Sequence, residues 1–163
     1  MPLNEINLAL GPEKMLTTIS DRYADRNFLL YRALANKDGY LLVDISGEHT
    51  VFESGLNYRV LKEIGETDWD GLLELRYVTL DTDQQKVFNA VVDSWNNKAA
   101  RPLGLKASKV LISLKKDFQF LLLNVWEDEQ DYLAWNNSPE NKLAQFGHDG
   151  NRAPVDKLYM RVR

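Results

Sequence analysis

The sequence predicts an α+β fold in which two successive β-α-β-β units build antiparallel sheets covered by helices on one face. Three observations lead to this prediction. The order strand, helix, strand, strand occurs in residues 4–46 and again in residues 71–126, the helices carry apolar residues at helical spacing, and turn signals separate the paired strands. With 163 residues and 44% hydrophobic content, the chain can bury a sizeable core.

The first half contains one helix among several short apolar runs. Pro12 suits the first turn of that helix, and one stripe of it carries Met15, Leu16, Ile19 and Tyr23. The expected elements are, in order, a strand at 4–10, a helix at 11–23, strands at 27–34 and 40–46 around the turn 36–39, and a strand at 47–54. Residues 56–71 suit either a short helix or a strand.

The second half repeats this order and adds a final strand. Its main helix starts near Asp81 or Thr82, and Val87, Phe88, Val91 and Trp95 have the spacing of a buried face. Ser138 fits an N-cap and Pro139 a first helical position, so we expect one helix to end there and another to begin. The expected elements are a strand at 71–80, a helix at 81–97, strands at 106–114 and 118–126, helices at 128–137 and 140–146, and a strand at 156–163.

The two halves are predicted to divide at residues 1–67 and 68–163. Paired ferredoxin-like units can close their sheets into a shared antiparallel α+β barrel, which removes exposed strand edges. The loops are short and no Gly/Ser-rich linker separates the halves, so we expect them to fold as one body. Such a chain would be a pseudo-dimer within one molecule, and it would exist as a monomer or as a homodimer.

Composition excludes several classes of function. The formal charge is -4, and basic residues alternate with acidic ones instead of forming a cationic face, which argues against a nucleic-acid partner. The chain has no cysteine and two histidines, His49 and His148, so thiol chemistry is excluded and a catalytic metal is not expected. The most apolar stretch, residues 120–126, is too short to cross a bilayer, and the first residues lack a signal-peptide pattern. We therefore expect a cytoplasmic protein with no membrane partner.

Residues 120–143, "FLLLNVWEDEQDYLAWNNSPENKL", carry a family resemblance. An apolar strand ends in Trp-Glu, and an acidic turn, an aromatic residue, a Trp and a Ser-Pro break follow. This pattern resembles the antibiotic biosynthesis monooxygenase (ABM) superfamily, whose members form dimeric α+β barrels. Residues 50–65 and 101–111 are similar to two-part proteins of this superfamily, namely haem-degrading monooxygenases of the HmoB type and TRAP-type signal transduction proteins.

The resemblance implies a set of functional residues. In haem-degrading members, an Asn on the first strand of the ABM unit hydrogen-bonds near the distal oxygen, a Trp lies against the porphyrin, and a His ten positions after that Trp binds iron. By position, the Trp corresponds to Trp135, the His to Gln145, and the Asn falls on or beside Arg76. These three are the candidate catalytic residues. Because a primary amide is a poor iron ligand, Gln145 does not replace the His.

The candidate cofactor-binding residues are Trp135, His148, Phe146 and Asn124, with haem as the possible cofactor. His148 is a weak candidate for the iron ligand, because the glycines beside it suggest that the helix has ended before this residue. The alternative is that His148 lies in an exposed loop. Trp135 suits a pocket wall or a packed core, and Asn124 suits a cavity lining or a bond to a buried backbone group. Arg76 suits a carboxylate-binding role or an ion pair with Glu74, two positions away on the same strand face.

Three hypotheses of function remain open. The first is a haem-binding or haem-degrading monooxygenase with a degenerate catalytic set. The second is a non-catalytic regulatory or stress-linked protein of the TRAP type. The third is a cofactor-independent monooxygenase of a small aromatic molecule, in which Trp126, Trp135 and Phe146 wall the cavity and Arg76 holds an enolate.

Overall fold

The computed structural model describes residues 3–146 and 157–163. The bounds of its strands and helices are, in chain order, β1 Glu5–Gly11, α1 Glu13–Arg22, β2 Phe28–Ala33, β3 Tyr40–Asp44, β4 Leu56–Gly65, β5 Leu72–Thr79, α2 Thr82–Ser94, β6 Leu105–Ser113, β7 Gln119–Trp126, α3 Glu129–Asn136, a 3₁₀ turn Lys142–Gln145, and β8 Leu158–Arg161. Among these described residues, no helix is both long and apolar enough to cross a membrane.

The strands of the described chain form one closed antiparallel barrel in the order β1-β3-β2-β8-β5-β7-β6-β4. Two groups of four strands share one internal order, fourth-first-third-second, as β4-β1-β3-β2 and β8-β5-β7-β6. Each group therefore has ferredoxin-like topology. The groups join where β4 pairs with β6 and where β2 pairs with β8. The predicted α+β barrel of two ferredoxin-like units within one chain is confirmed. The division at residues 67 and 68 stays a prediction.

Successive side chains of each strand point alternately into the barrel and away from it, and this separates an inner core from two outer layers. On β5, Leu73, Leu75 and Tyr77 face the barrel interior, whereas Glu74 and Arg76 face outward because successive side chains point to opposite sides. The inner core mixes residues of both halves. One outer apolar layer lies beneath α1, and the other lies beneath α2, α3 and the 3₁₀ turn. This second outer layer contains the candidate site.

One expected strand is wrong. Residues 47–54 form no strand, and the first half is completed instead by β4, which settles the ambiguous segment after residue 55 as a strand. In this stretch, side chains accept hydrogen bonds from nearby backbone groups, as Thr50 Oγ1 does from Phe52 N at 3.0 Å and Ser46 Oγ does from Glu48 N at 3.1 Å. Such local bonds compete with a strand ladder. Phe52 packs against the outer face of the sheet, with its ring 5.9 Å from that of Phe28.

Helix α2 starts as predicted. Asp81 is its N-cap, and Asp81 and Gln84 form a capping box. Its predicted buried face is partly wrong, because Val87 is 47% exposed while Phe88, Val92 and Trp95 are buried. Met15 of α1, predicted on the buried stripe, is likewise exposed.

The chain after α3 does not begin a new α-helix at Ser138. The Ser138 hydroxyl donates to the Trp135 carbonyl at 2.8 Å and accepts from Glu140 N at 3.2 Å, so it links the end of α3 to the turn that follows. Asn141 then caps the 3₁₀ turn, since its Oδ1 accepts from Leu143 N at 3.0 Å. The expected helix at 140–146 is thus a short 3₁₀ turn.

Candidate functional site: a polar network beneath helix α3

The candidate site lies between α3 and the outer face of β5, β7 and β6. Glu74 pairs with Asn124 across β5 and β7, and Ser108 pairs with Asn124 across β6 and β7. The three side chains therefore stand abreast on neighbouring strands and point toward the helix. All three are at most 2% exposed, which makes their hydrogen bonds decisive for stability.

The Glu74 carboxylate is the centre of this network. Its Oε1 accepts from Asn124 Nδ2 at 2.9 Å and from Trp126 Nε1 at 3.0 Å. Its Oε2 accepts from Arg76 Nε at 2.8 Å. Asn124 Oδ1 in turn accepts from the Ser108 hydroxyl at 2.6 Å. The buried charge is thus paired with a cation and hydrogen-bonded on both oxygens, the condition under which a buried carboxylate is tolerated.

Arg76 connects the sheet to the helix. Besides its bond to Glu74, its Nη2 donates to Asn136 Oδ1 at 2.8 Å, and its Cζ lies 5.4 Å from the centroid of the Trp135 ring. This distance is within the range of a cation–π contact. The side chain is 5% exposed, so the guanidinium is enclosed between the sheet and α3. The ion pair with Glu74 that the sequence suggested as one alternative is present.

Trp135 is enclosed by other aromatic rings. Its indole meets Trp95 at 5.9 Å with the rings nearly perpendicular, and Trp126 at 5.5 Å with the rings tilted. Trp126 also meets the ring of Tyr132 at 5.8 Å. Burial raises the pKa of Tyr132 above its usual value; the Glu74 carboxylate raises this pKa further, and Arg76 opposes the rise. The indole of Trp135 therefore packs as part of the core, with 6% exposure.

The other predicted site residues are dispersed. Gln145 is exposed, and its Nε2 donates to the Lys142 carbonyl at 2.7 Å, so its carboxamide is bonded within its own turn. Phe146 is buried against Phe88, with ring centroids 5.5 Å apart, in the same apolar layer as Trp135. His148 lies outside the described residues. The structure thus brings together Trp135, Arg76 and Asn124, but not Gln145.

Sequence reasoning missed two members of the network. Asn136 accepts from Arg76 and also from Asn141 Nδ2, the latter at 3.2 Å. Ser108 completes the row on the sheet. The position of Asn136 directly after Trp135 was an available signal. No sequence signal places Ser108 beside Asn124, because their alignment depends on a register shift between Leu105 and Ala107.

Two open grooves border the outer edge of Trp135. They have volumes of about 460 and about 380 Å³, and both are lined by Pro102, Leu103, Trp135, Pro139 and Glu140. These volumes lie within the roughly 300–1,000 Å³ usual for ligand pockets. Gly104 lets the loop approach α3, because its φ of +85° favours glycine and a Cβ there would collide with Asp131. The grooves lie outside the polar network, on the solvent side of the indole.

The described residues do not fit an iron-ligated haem. The residue at the position implied for the iron ligand, Gln145, is exposed and carries a carboxamide, which binds iron poorly. The space beneath α3, where a flat cofactor would lie against Trp135, contains the Arg76 guanidinium.

The fold and the layer beneath α3 define a two-unit α+β barrel of ferredoxin-like topology. A family model described as antibiotic biosynthesis monooxygenase matches residues 72–145, the segment from β5 to the 3₁₀ turn. Residues 72–145 of the chain are therefore similar to the ABM family.

Individual relatives carry different descriptions. A "Heme-degrading monooxygenase" of Listeria monocytogenes is 24% identical over 140 residues, covering 86% of this chain and 81% of the relative. The crystal structure of a monooxygenase-like protein from Listeria innocua has a TM-score of 0.79 at 20% identity and covers 99% of this chain and 95% of that one. The structure described as a major regulator of staphylococcal pathogenesis has a TM-score of 0.73 at 15% identity, covering 98% and 99%. The two structural matches bear on the fold alone.

Proposed function

We propose that this protein is a non-catalytic member of the ABM superfamily, a regulatory or stress-linked protein of the TRAP type, and that it does not degrade haem. The observation that carries the proposal is the contact of Arg76 with Glu74, Asn136 and Trp135. Arg76 stands on or beside the position that the resemblance assigns to an Asn near the distal oxygen. In this protein the guanidinium of Arg76 occupies the space between the sheet and α3.

Energetics support a closed layer. A flat ligand lying against the inner side of Trp135 has to displace the Arg76 guanidinium from a carboxylate that is 2% exposed. Breaking a buried ion pair by removing one partner costs about 3–5 kcal/mol, because the remaining charge is left uncompensated. An entering ligand must offset this cost before it gains any net affinity. The same fold also occurs in a protein that is described as a regulator of staphylococcal pathogenesis.

Turnover of added haem tests the proposal. Hemin and ascorbate are mixed with the wild-type protein, with catalase present to remove peroxide, and iron release and the loss of the Soret band are followed. We expect the same rate as for hemin and ascorbate without protein. A protein-dependent release of iron, abolished by Trp135→Ala but not by His49→Ala, would overturn the proposal. His49 is a suitable control because it lies in the opposite half of the barrel.

A second candidate function is haem binding in the grooves on the solvent side of Trp135, outside the closed layer beneath α3. Two observations favour it. A relative of 24% identity is described as heme-degrading, and of the two grooves beside Trp135 one is mainly apolar while the other is lined by Arg101 and Lys142. Cationic side chains of this kind can pair with propionate groups.

A hemin titration tests the second candidate. Saturation of the Soret shift near one equivalent is expected, with weaker binding in Leu103→Asp and in His148→Ala. Leu103 is 86% exposed, so its substitution should leave the fold intact. Leu133→Asp is the matched control, because Leu133 is exposed on α3 and does not line either groove. A titration without saturation would exclude this candidate. Cofactor-independent oxygenation is not proposed, since it needs a proton acceptor and both oxygens of Glu74 are hydrogen-bonded.

A further inference from the structure

We propose that Arg76 is an internal latch: its guanidinium occupies a cradle formed by Glu74, Asn136 and Trp135, and this occupancy holds α3 closed on the barrel. When the Arg76 side chain is removed, the cradle binds a free guanidinium-type cation from solution. The chemical class of the guest is therefore a small planar cation, and its present occupant belongs to the chain itself.

The geometry of the cradle matches a guanidinium group. One edge of the group donates through Nε to Glu74 at 2.8 Å, and Nη2 donates to Asn136 at 2.8 Å. The flat group also lies within cation–π distance of the Trp135 indole, at 5.4 Å. The two acceptors belong to different elements, since Glu74 is on β5 and Asn136 ends α3. One planar cation thus bridges the sheet and the helix.

The bridge continues beyond α3. Asn136 Oδ1, which accepts from Arg76, also accepts from Asn141 Nδ2 at 3.2 Å. Asn141 Oδ1 accepts from Leu143 N at 3.0 Å and so caps the 3₁₀ turn that contains Gln145. Release of Asn136 therefore loosens both the end of α3 and the turn after it. This is the segment that carries the position implied for an iron ligand.

The cradle should prefer guanidinium to ammonium. An ammonium ion is a compact, strongly hydrated point charge, whereas guanidinium is planar, less hydrated and able to donate to two separated acceptors while it stacks on an aromatic face. Helix α3 itself shows little amphipathic character, and Trp135 is its one buried residue in the described structure. Its ring contacts with the sheet are those of Trp135 and Tyr132 with Trp126, and the polar bridge through Arg76 adds a second attachment at the end of the helix.

The inference rests on the proposed function in one respect, namely that the layer inside Trp135 is closed in the wild-type protein. Its test needs no haem. Thermal unfolding of Arg76→Ala is measured against increasing methylguanidinium chloride at constant ionic strength, with methylammonium chloride as the matched salt. We expect a saturable rise in Tm with methylguanidinium alone. The wild-type protein and Arg76→Met, whose side chain fills the cradle without a charge, should show no such rise.

Hydrogen exchange supplies a readout that a general loss of stability would not give. In Arg76→Ala, the amides of residues 129–145 should exchange at least tenfold faster, whereas those of α1 should be unchanged, and methylguanidinium should restore the protection. Adding Glu74→Gln to Arg76→Ala should abolish the rescue. If Arg76→Ala does not fold, Arg76→Lys replaces it, because a lysine can pair with Glu74 without reaching Asn136, and the same local increase in exchange is expected.

The latch is excluded if methylguanidinium and methylammonium have equal effects on Arg76→Ala, or if exchange rises equally in α1 and α3. Failure of the latch and failure of the proposed function are distinguishable. Haem turnover is measured on the wild-type protein, and methylguanidinium binding is measured on the variant without haem.

Discussion

The indole Nε1 of Trp126 donates a hydrogen bond of 3.0 Å to Glu74 Oε1, so the last residue of β7 is bonded to a carboxylate on β5. Trp126 is fully buried, and a buried indole N–H requires an acceptor. Glu74 provides that acceptor and at the same time holds Asn124 and Arg76. A single carboxylate thus accepts hydrogen bonds from three buried side chains.

We expect strong coupling between Glu74 and Arg76. Glu74→Leu and Arg76→Met should each lower the free energy of unfolding by about 3–5 kcal/mol, because each leaves a buried charge without its partner. The double variant should lose less than the sum of the two single losses, by about 1–3 kcal/mol. Urea denaturation of the four proteins gives this coupling energy. Additive losses would mean that the ion pair contributes nothing specific to the layer.

Two tyrosines of the barrel interior should respond differently to loss of the hydroxyl. The Tyr31 hydroxyl donates to the Trp69 carbonyl at 2.8 Å, whereas the buried Tyr77 hydroxyl has no hydrogen-bond partner among the described residues. Tyr31→Phe should therefore destabilise the protein by about 0.5–1.5 kcal/mol, and Tyr77→Phe should leave stability unchanged or raise it by up to about 1 kcal/mol. Urea denaturation midpoints of the two variants and the wild-type protein at neutral pH measure both changes in stability. A larger loss for Tyr77→Phe than for Tyr31→Phe would contradict the assignment.

Stability should decline at alkaline pH. Burial raises the pKa of Tyr77 and of Tyr132 above the usual value of 10.0. Their contribution is complete below the unfolded-state pKa and is lost as the pH rises through the folded-state pKa, because the unfolded chain then loses protons that the folded chain retains. Unfolding free energies at about pH 8 and about pH 10.5 measure the decline. Tyr132→Phe should reduce it, while Tyr23→Phe, on α1's C-terminal flank, serves as the control. An unchanged decline in Tyr132→Phe would contradict a role of that residue.

Closure of the barrel within one chain predicts a monomer in solution. Each terminal strand of one four-stranded group pairs with a terminal strand of the other, so the described strands leave no edge for a second chain. Light scattering after gel filtration should give a mass near 18.8 kDa. A mass twice as large, independent of concentration, would show that another surface forms a dimer.

The architecture was predictable because the hydrophobic pattern of the strands is consistent with their pairing. Leu73, Leu75 and Tyr77 alternate with Glu74 and Arg76, and this alternation alone separates the barrel interior from the layer beneath α3. The segment 47–54 was misassigned as a strand because its apolar residues resemble one, while its Ser and Thr side chains bond to the local backbone.

The site was predictable only in part. The spacing of Glu74 and Arg76 on one strand suggested their ion pair, and the family resemblance implied that Trp135 and Arg76 belong to one set of functional residues. The contact of Arg76 with Asn136 depends on where α3 lies over the sheet, and the alignment of Ser108 with Asn124 depends on an irregular register. Both contacts are determined by how the elements pack in three dimensions, and neither follows from the spacing of residues along the sequence.

The most direct test of the closed layer is a crystal structure of the wild-type protein grown with excess hemin. We expect the guanidinium of Arg76 to remain against Trp135, with Cζ near 5.4 Å from the ring centroid, and any bound porphyrin to lie outside the indole. A porphyrin between α3 and the sheet, with Arg76 displaced from Glu74, would contradict the account.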